Sequence, residues 1–205
     1  MVVIVDYGMG NLKSVANAAR SLGKKVRVSD SPNTLKRAKK IIFPGVGHFG
    51  RTVQELKKRK IFEVLKAKIS QGTPYLGICI GMQVLFDASE EAPGLKGLGL
   101  IPGKVKRFKN KGLIVPHMGW NQIKLKGQGS RGKDIFRGVK DKSFFYFVHS
   151  YYCEPKDKKV VLSKTKYGLD FASSIHQDNI WALQFHAEKS QKLGLKVFDN
   201  FLELC

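Results

Sequence analysis

The sequence predicts an α/β protein: a mainly parallel central sheet flanked by helices, with antiparallel strands added in the C-terminal half. Three observations predict it. Short β-branched runs alternate with helical periodicities as far as Ala88; beyond about Gly94 the apolar runs follow one another without room for crossover helices; and no linker, repeat or low-complexity stretch divides the chain. The 205 residues are read as one domain, 1–205, long enough to bury a core without disulfides or a structural metal.

The elements follow in order. Val2-Val3-Ile4-Val5 is a buried strand running into the turn Asp6-Tyr7-Gly8-Met9-Gly10. Leu12, Val15, Ala19 and Leu22 recur at helical spacing between Asn11, a candidate N-cap, and Gly23, a C′ glycine. Val26 and Val28 alternate with polar residues as a second strand, and Ile41-Ile42-Phe43 before Pro44-Gly45 makes a third. Residues 49–70 carry Leu56, Ile61, Val64, Leu65 and Ile69 at three- and four-residue intervals and predict one or two helices. Tyr75-Leu76-Gly77-Ile78 is a fourth strand, and 81–88 read as a helix. Strands are then expected at 113–115, 144–148, 160–162, 171–175 and 180–185, with hairpins between some of them, and a last helix at 190–204.

Charge bears on association rather than fold. Lys and Arg number 37 against 16 Asp and Glu, a net +21 and a pI near 10.0, which suits an acidic partner, an anionic surface or nucleic acid. The basic clusters 36–40 and 57–60 lack the interleaved aromatics of an RNA-binding signature and read as solvated helix faces, so nucleic acid is not the expected partner. The first residues lack a basic n-region, and no apolar run reaches the roughly 18–20 residues of a membrane span, so neither export nor a membrane is expected. Cys79, Cys153 and Cys205 cannot all pair within the chain, and none forms a C-x-x-C; a reducing cytoplasm is the simplest compartment. Metal signatures are missing, and Lys13 stands where a dinucleotide loop needs its third glycine, so neither metal nor cofactor is predicted.

One segment points to chemistry. Gly77-Ile78-Cys79-Ile80-Gly81 sets a nucleophile-type residue between glycines, after a strand and before a helix, the layout of a nucleophile elbow with Cys in place of Ser. The turn is tight enough to favour glycine on both flanks, and the helix N-terminus would stabilise a thiolate. The plainer reading of Cys79 is a small buried hydrophobe. A nucleophilic thiol needs an imidazole, and the imidazole an orienting group. His186 follows a strand and has Glu188 two positions on, on the same side of an extended backbone. His48, His117, His149 and His176 have weaker claims. Pro44-Gly45-Val46-Gly47 would bring backbone amides to the same carboxyl edge, either as an oxyanion hole or as an ordinary turn.

Taken together, Asp6-Tyr7-Gly8-Met9-Gly10-Asn11-Leu12, Pro44-Gly45-Val46-Gly47-His48-Phe49-Gly50, Gly77 to Gln83 and Gln184-Phe185-His186-Ala187-Glu188-Lys189-Ser190 resemble the class I glutamine amidotransferases of the triad type, over essentially the whole chain. His117-Met118-Gly119-Trp120-Asn121 and Phe147-Val148-His149-Ser150-Tyr151 are similar to the subgroup that feeds ammonia to a cyclase making imidazole glycerol phosphate in histidine biosynthesis. The resemblance implies that Cys79 attacks the glutamine side-chain amide, His186 serves as acid and base, and Glu188 orients it. It also implies an oxyanion site at the Val46 amide with Gly47 beside it, and glutamine-holding positions at Gln83, Ser150 and Tyr151. The implied partner is a (β/α)8-barrel cyclase subunit in a heterodimer. His117, Met118, Gly119, Trp120 and Asn121 would lie at that interface, although Met118 and Trp120 also read as core residues, and Lys189 would pair with an acidic partner group. The nearest alternative is the glutaminase of another synthase, such as pyridoxal phosphate synthase, which would not require the 117–121 stretch. Ala187 stands where the family usually has proline, which predicts a looser backbone between His186 and Glu188.

Overall fold

The computed structural model describes residues 1–109, 112–126 and 135–204; Cys205, one of the three cysteines, lies outside them. The first half is β1 (Val2–Val5), α1 (Leu12–Ser21), β2 (Val26–Ser29), α2 (Pro32–Lys36), β3 (Lys40–Phe43), α3 (Phe49–Lys58), α4 (Phe62–Ser70), β4 (Tyr75–Ile78) and α5 (Ile80–Gln83). Then come β5 (Phe86–Ser89), β6 (Ile101–Arg107), β7 (His117–Gln122), β8 (Lys124–Leu125), β9 (Phe144–His149) and β10 (Tyr151–Pro155). The chain closes with β11 (Val161–Tyr167), β12 (Leu169–Gln177), β13 (Ile180–Leu183) and α6 (Gln191–Leu204).

An eight-stranded sheet runs β2-β1-β3-β4-β13-β12-β11-β8. The strands from β2 to β13 pair parallel, and β13, β12, β11 and β8 pair antiparallel, as the change of texture near Gly94 predicts. Strand periodicity sorts the core into two layers. Val3, Val5, Ile41, Phe43, Tyr75 and Ala182 face the helices α3 and α4. Ile4, Ile42, Leu76, Ile78, Trp181 and Leu183 face α1 and α6. Local signals set the helix ends: Asn11 accepts from Ser14 N–H at 3.2 Å, and Gly23 takes φ 72° after α1. The 49–70 stretch is two helices, parted where Lys60 adopts φ 58°.

Two smaller sheets, β10-β6-β5 and β7-β9, stand apart from the main one. They contain most of what periodicity misses, because Pro102, Gly103 and the lysines dilute the apolar alternation of β6 and Gly119 interrupts that of β7. The expected helix over 81–88 is corrected to one turn, α5, followed by the strand β5. The carbonyls that would carry the helix on are taken by the 97–100 segment, with Leu98 N–H on Val84 O at 2.7 Å and Leu100 N–H on Leu85 O at 2.9 Å. Gly97 permits this, since a Cβ there would lie 2.2 Å from Phe86 O. Residues 113–115 form no strand: Ile114 is 80% exposed and Pro116, which follows a cis peptide bond, has no N–H for a ladder.

Candidate active site

β3, β4 and β13 are adjacent and parallel, so their carboxyl ends deliver the Pro44–Gly47 loop, Cys79 and the 184–186 segment to one edge. Cys79 leaves β4 at φ 53°, a left-handed conformation that non-glycine residues adopt at a cost of about 1–3 kcal/mol. Its N–H is held by Leu183 O at 2.7 Å, and its thiol approaches Val148 O at 3.8 Å. The flanking glycines are required sterically: a Cβ at Gly77 would lie 2.4 Å from Gly81 O, and one at Gly81 would lie 2.1 Å from Phe43 O. With only four residues in α5, the dipole at Cys79 is that of a single turn, less than the sequence suggests.

His186 is buried, and its Nδ1 bonds Glu188 Oε1 at 2.8 Å. The approach differs from the extended geometry expected, because Ala187–Lys189 form a 3-10 turn that folds the carboxylate back onto the ring. Ala187, in place of the family's proline, is fully buried. Ser190 Oγ donates to His186 O and accepts from Tyr146 N–H, and Gly194 packs so closely that a Cβ would lie 1.9 Å from Ala187 O. Burial pushes the His186 pKa down, but the negative charge of a Cys79 thiolate and the Glu188 carboxylate outweigh it and raise it to about 10. Nε2 of His186 and Oε2 of Glu188 are buried without hydrogen-bond partners.

A cavity of about 270 Å³ opens beside the sulfur, lined by Val46, Gly47, Cys79, Gln83, Ser150 and Tyr151 among others. These six were singled out in the sequence. Glu91 also lines it and was missed: its Oε2 accepts from Phe49 N–H at 2.6 Å, and no local motif marks it. Gln184 was missed as a separate contributor, although it opens the His186 stretch. Its side-chain N–H points to Cys79 Sγ at 3.6 Å and its carbonyl accepts from Gln83 at 3.4 Å. Tyr7 donates to Val46 O at 3.3 Å, and burial, followed by the charge of Cys79, holds its hydroxyl well above the usual phenol range.

The remaining candidates divide by strand alternation. On β7, Met118 and Trp120 are 62% and 47% exposed and share an outward face with Phe144 of β9, at 51%; Lys189 lies beside it, with Nζ 5.8 Å above the Tyr146 ring. His117 and Asn121 point the other way, and His117 is buried between Tyr167 and Phe147. His48 caps α3 by accepting from Gly50 N–H, and Cys153 is a buried thiol whose pKa burial raises. Among the described residues, no helix is long and apolar enough to cross a membrane.

Residues 3–204 match the model of the family described as glutamine amidotransferase class-I. The chain is 45% identical over 204 residues to imidazole glycerol phosphate synthase subunit HisH of Methanocaldococcus jannaschii, covering 100% of both. It is 46% identical over 205 residues to the subunit of the same name in Chlorobium chlorochromatii, again covering 100% of both. A solved structure described as a glutamine amidotransferase superposes with TM-score 0.77 at 19% identity, covering 100% of this chain and 98% of that one, a likeness of fold.

Proposed function

Since the chain belongs to the class-I glutamine amidotransferases, we propose that Cys79, His186 and Glu188 are its catalytic triad, serving the glutaminase subunit of an imidazole glycerol phosphate synthase. The observation that carries the reading is a strained, glycine-flanked cysteine opening into a small cavity beside a buried His–Glu pair. The Cys79 thiolate attacks the side-chain amide carbon of glutamine. Charge on the amide oxygen is met by the backbone at Val46 and Gly47, an interaction commonly worth about 3 kcal/mol. His186, held charged by its neighbours, gives its Nε2 proton to the departing nitrogen, and ammonia leaves a γ-glutamyl thioester. The now neutral imidazole takes a proton from water, which attacks the thioester and expels glutamate and the thiolate. Gln83, Ser150 and Tyr151 hold the substrate, and the Glu91 carboxylate suits its α-ammonium.

The ammonia passes to a cyclase partner, a (β/α)8 barrel, for histidine biosynthesis. The outward face of Met118, Trp120 and Phe144 is its seat: apolar, exposed, and continuous through Val148 with the wall of the cavity. Lys189 at its edge suits an acidic group on the partner. The whole chain works as one unit in the cytoplasm, where a thiol nucleophile stays reduced. A glutaminase assay with and without a candidate cyclase subunit tests the reading. Turnover that rises on assembly supports it; no hydrolysis in either arm, or activation only by the synthase of another pathway, overturns it.

A further inference from the structure

Behind the cavity runs a chain of hydrogen bonds whose direction is fixed at both ends. Asn121 Oδ1 accepts from Gln122 N–H at 2.8 Å, so its Nδ2 faces Lys166 O and His117 Nε2, each at 3.1 Å. An amide nitrogen can only donate, so His117 Nε2 accepts and the ring carries its proton on Nδ1. That nitrogen lies 2.9 Å from His149 Nε2, which must accept in turn, leaving His149 Nδ1–H to donate to Tyr151 O at 2.8 Å. The same carbonyl accepts from Gln83 at 3.2 Å, and Phe108 N–H holds Ser150 O at 3.2 Å. A second proton on either ring would set two N–H groups against each other. Burial agrees, lowering His117 to about 4 and His149 to about 3.

We propose that His117 is a positioning residue: through His149 it fixes the Tyr151 carbonyl and the Ser150–Tyr151 turn that lines the cavity, tying the strand bearing Met118 and Trp120 to the seat of the substrate. This rests on the glutaminase reading for its kinetic consequence, but not for its protonation pattern. His149 is the pivot, because its ring closes the link across Ser150 between β9 and β10. His117 sets the tautomer of that pivot, and Asn121 sets that of His117. Both rings are thereby held in the Nδ1–H form, the opposite of the one a free imidazole prefers.

Two measurements test it. Nitrogen NMR of the intact chain at pH 7 should find His117 and His149 neutral and protonated at Nδ1; a charged ring, or Nε2–H on either, overturns the proposal whether or not the protein turns over glutamine. Steady-state kinetics of the assembled enzyme should find KM for glutamine raised about tenfold in His117→Phe, which keeps the aromatic packing, with kcat within about twofold. His117→Asn, whose amide donates from the place of Nδ1, should recover most of that loss. Equal losses in the two variants would mean that His117 only fills space, and a fall in kcat with KM unchanged would mean that it acts on the chemical step and not on the seat of the substrate; either overturns the proposal. An inactive wild-type assembly would count against the glutaminase reading and leave the NMR result to decide this one.

Discussion

At the scale of single residues the proposed chemistry rests on the imidazole that Cys79 and Glu188 flank. The His186 pKa is high because a thiolate and a carboxylate flank it. Cys79→Ala should therefore abolish glutamine hydrolysis, leave the melting temperature within a few degrees, and bring the His186 pKa down from about 10, as read by NMR titration. A His186 pKa unmoved in that variant would break the proposed pairing. Glu188→Gln should keep the fold and lower kcat by about 10²-fold or more, since the ring loses the carboxylate that orients it and stabilises its charged form. The buried pair His117 and His149 has the opposite sign. Both are neutral when folded and bind protons near pH 6.5 when unfolded, so stability is full above about pH 6.5 and drains away as pH falls towards 4. Thermal melts across that window should fall by several degrees in the wild type and less in His117→Phe. Cys79, His186 and Glu188 were legible in the sequence because each sits in a motif a few residues long. Glu91 and Gln184 were not, because what brings the one to the cavity and the other to the sulfur is the 91–49 contact and the β4–β13 pairing, which no local pattern encodes.

At the scale of elements, the turn after β4 is held by missing side chains. Gly81→Ala would drive a Cβ to 2.1 Å from a backbone oxygen of β3, which has no freedom to retreat inside a parallel sheet. Chemical denaturation should register a loss of about 3 kcal/mol or more beyond that of Gly72→Ala, where the Cβ meets open space and only the φ of 89° is penalised, at about 1–2 kcal/mol. A mild effect at Gly81 would mean that the elbow is more pliable than the packing indicates. The parallel half was readable because its strands are short apolar runs, or in β2 a clean alternation, between turn residues. The strands β6, β7 and β10 were harder, since glycine, proline or lysine breaks their period, and β5 is four residues long with Asp87 and Ser89 among them. The helix expected over 81–88 failed for a different reason: tertiary hydrogen bonds from 97–100 override the local periodicity.

For the whole molecule, the proposed interface divides the work: charge would govern encounter and the apolar patch affinity. With a net charge of +21, association with an acidic cyclase face should weaken several-fold between about 50 and 500 mM salt, mostly through the on-rate, in a binding assay by surface plasmon resonance. An association rate insensitive to salt would show that the charge serves something else. Trp120→Ala should cost about 2 kcal/mol of that affinity and act mainly on dissociation. Composition reveals the excess of lysine but not the apolar patch; strand alternation on β7 does, once the register against β9 is known. That ribbon is only two strands wide and belongs to neither larger sheet. Its outer side chains at 118, 120 and 144 can consequently be exchanged for those of a cousin enzyme while Val148, in the cavity wall, is kept, so a chimaera would swap companions while keeping its own chemistry.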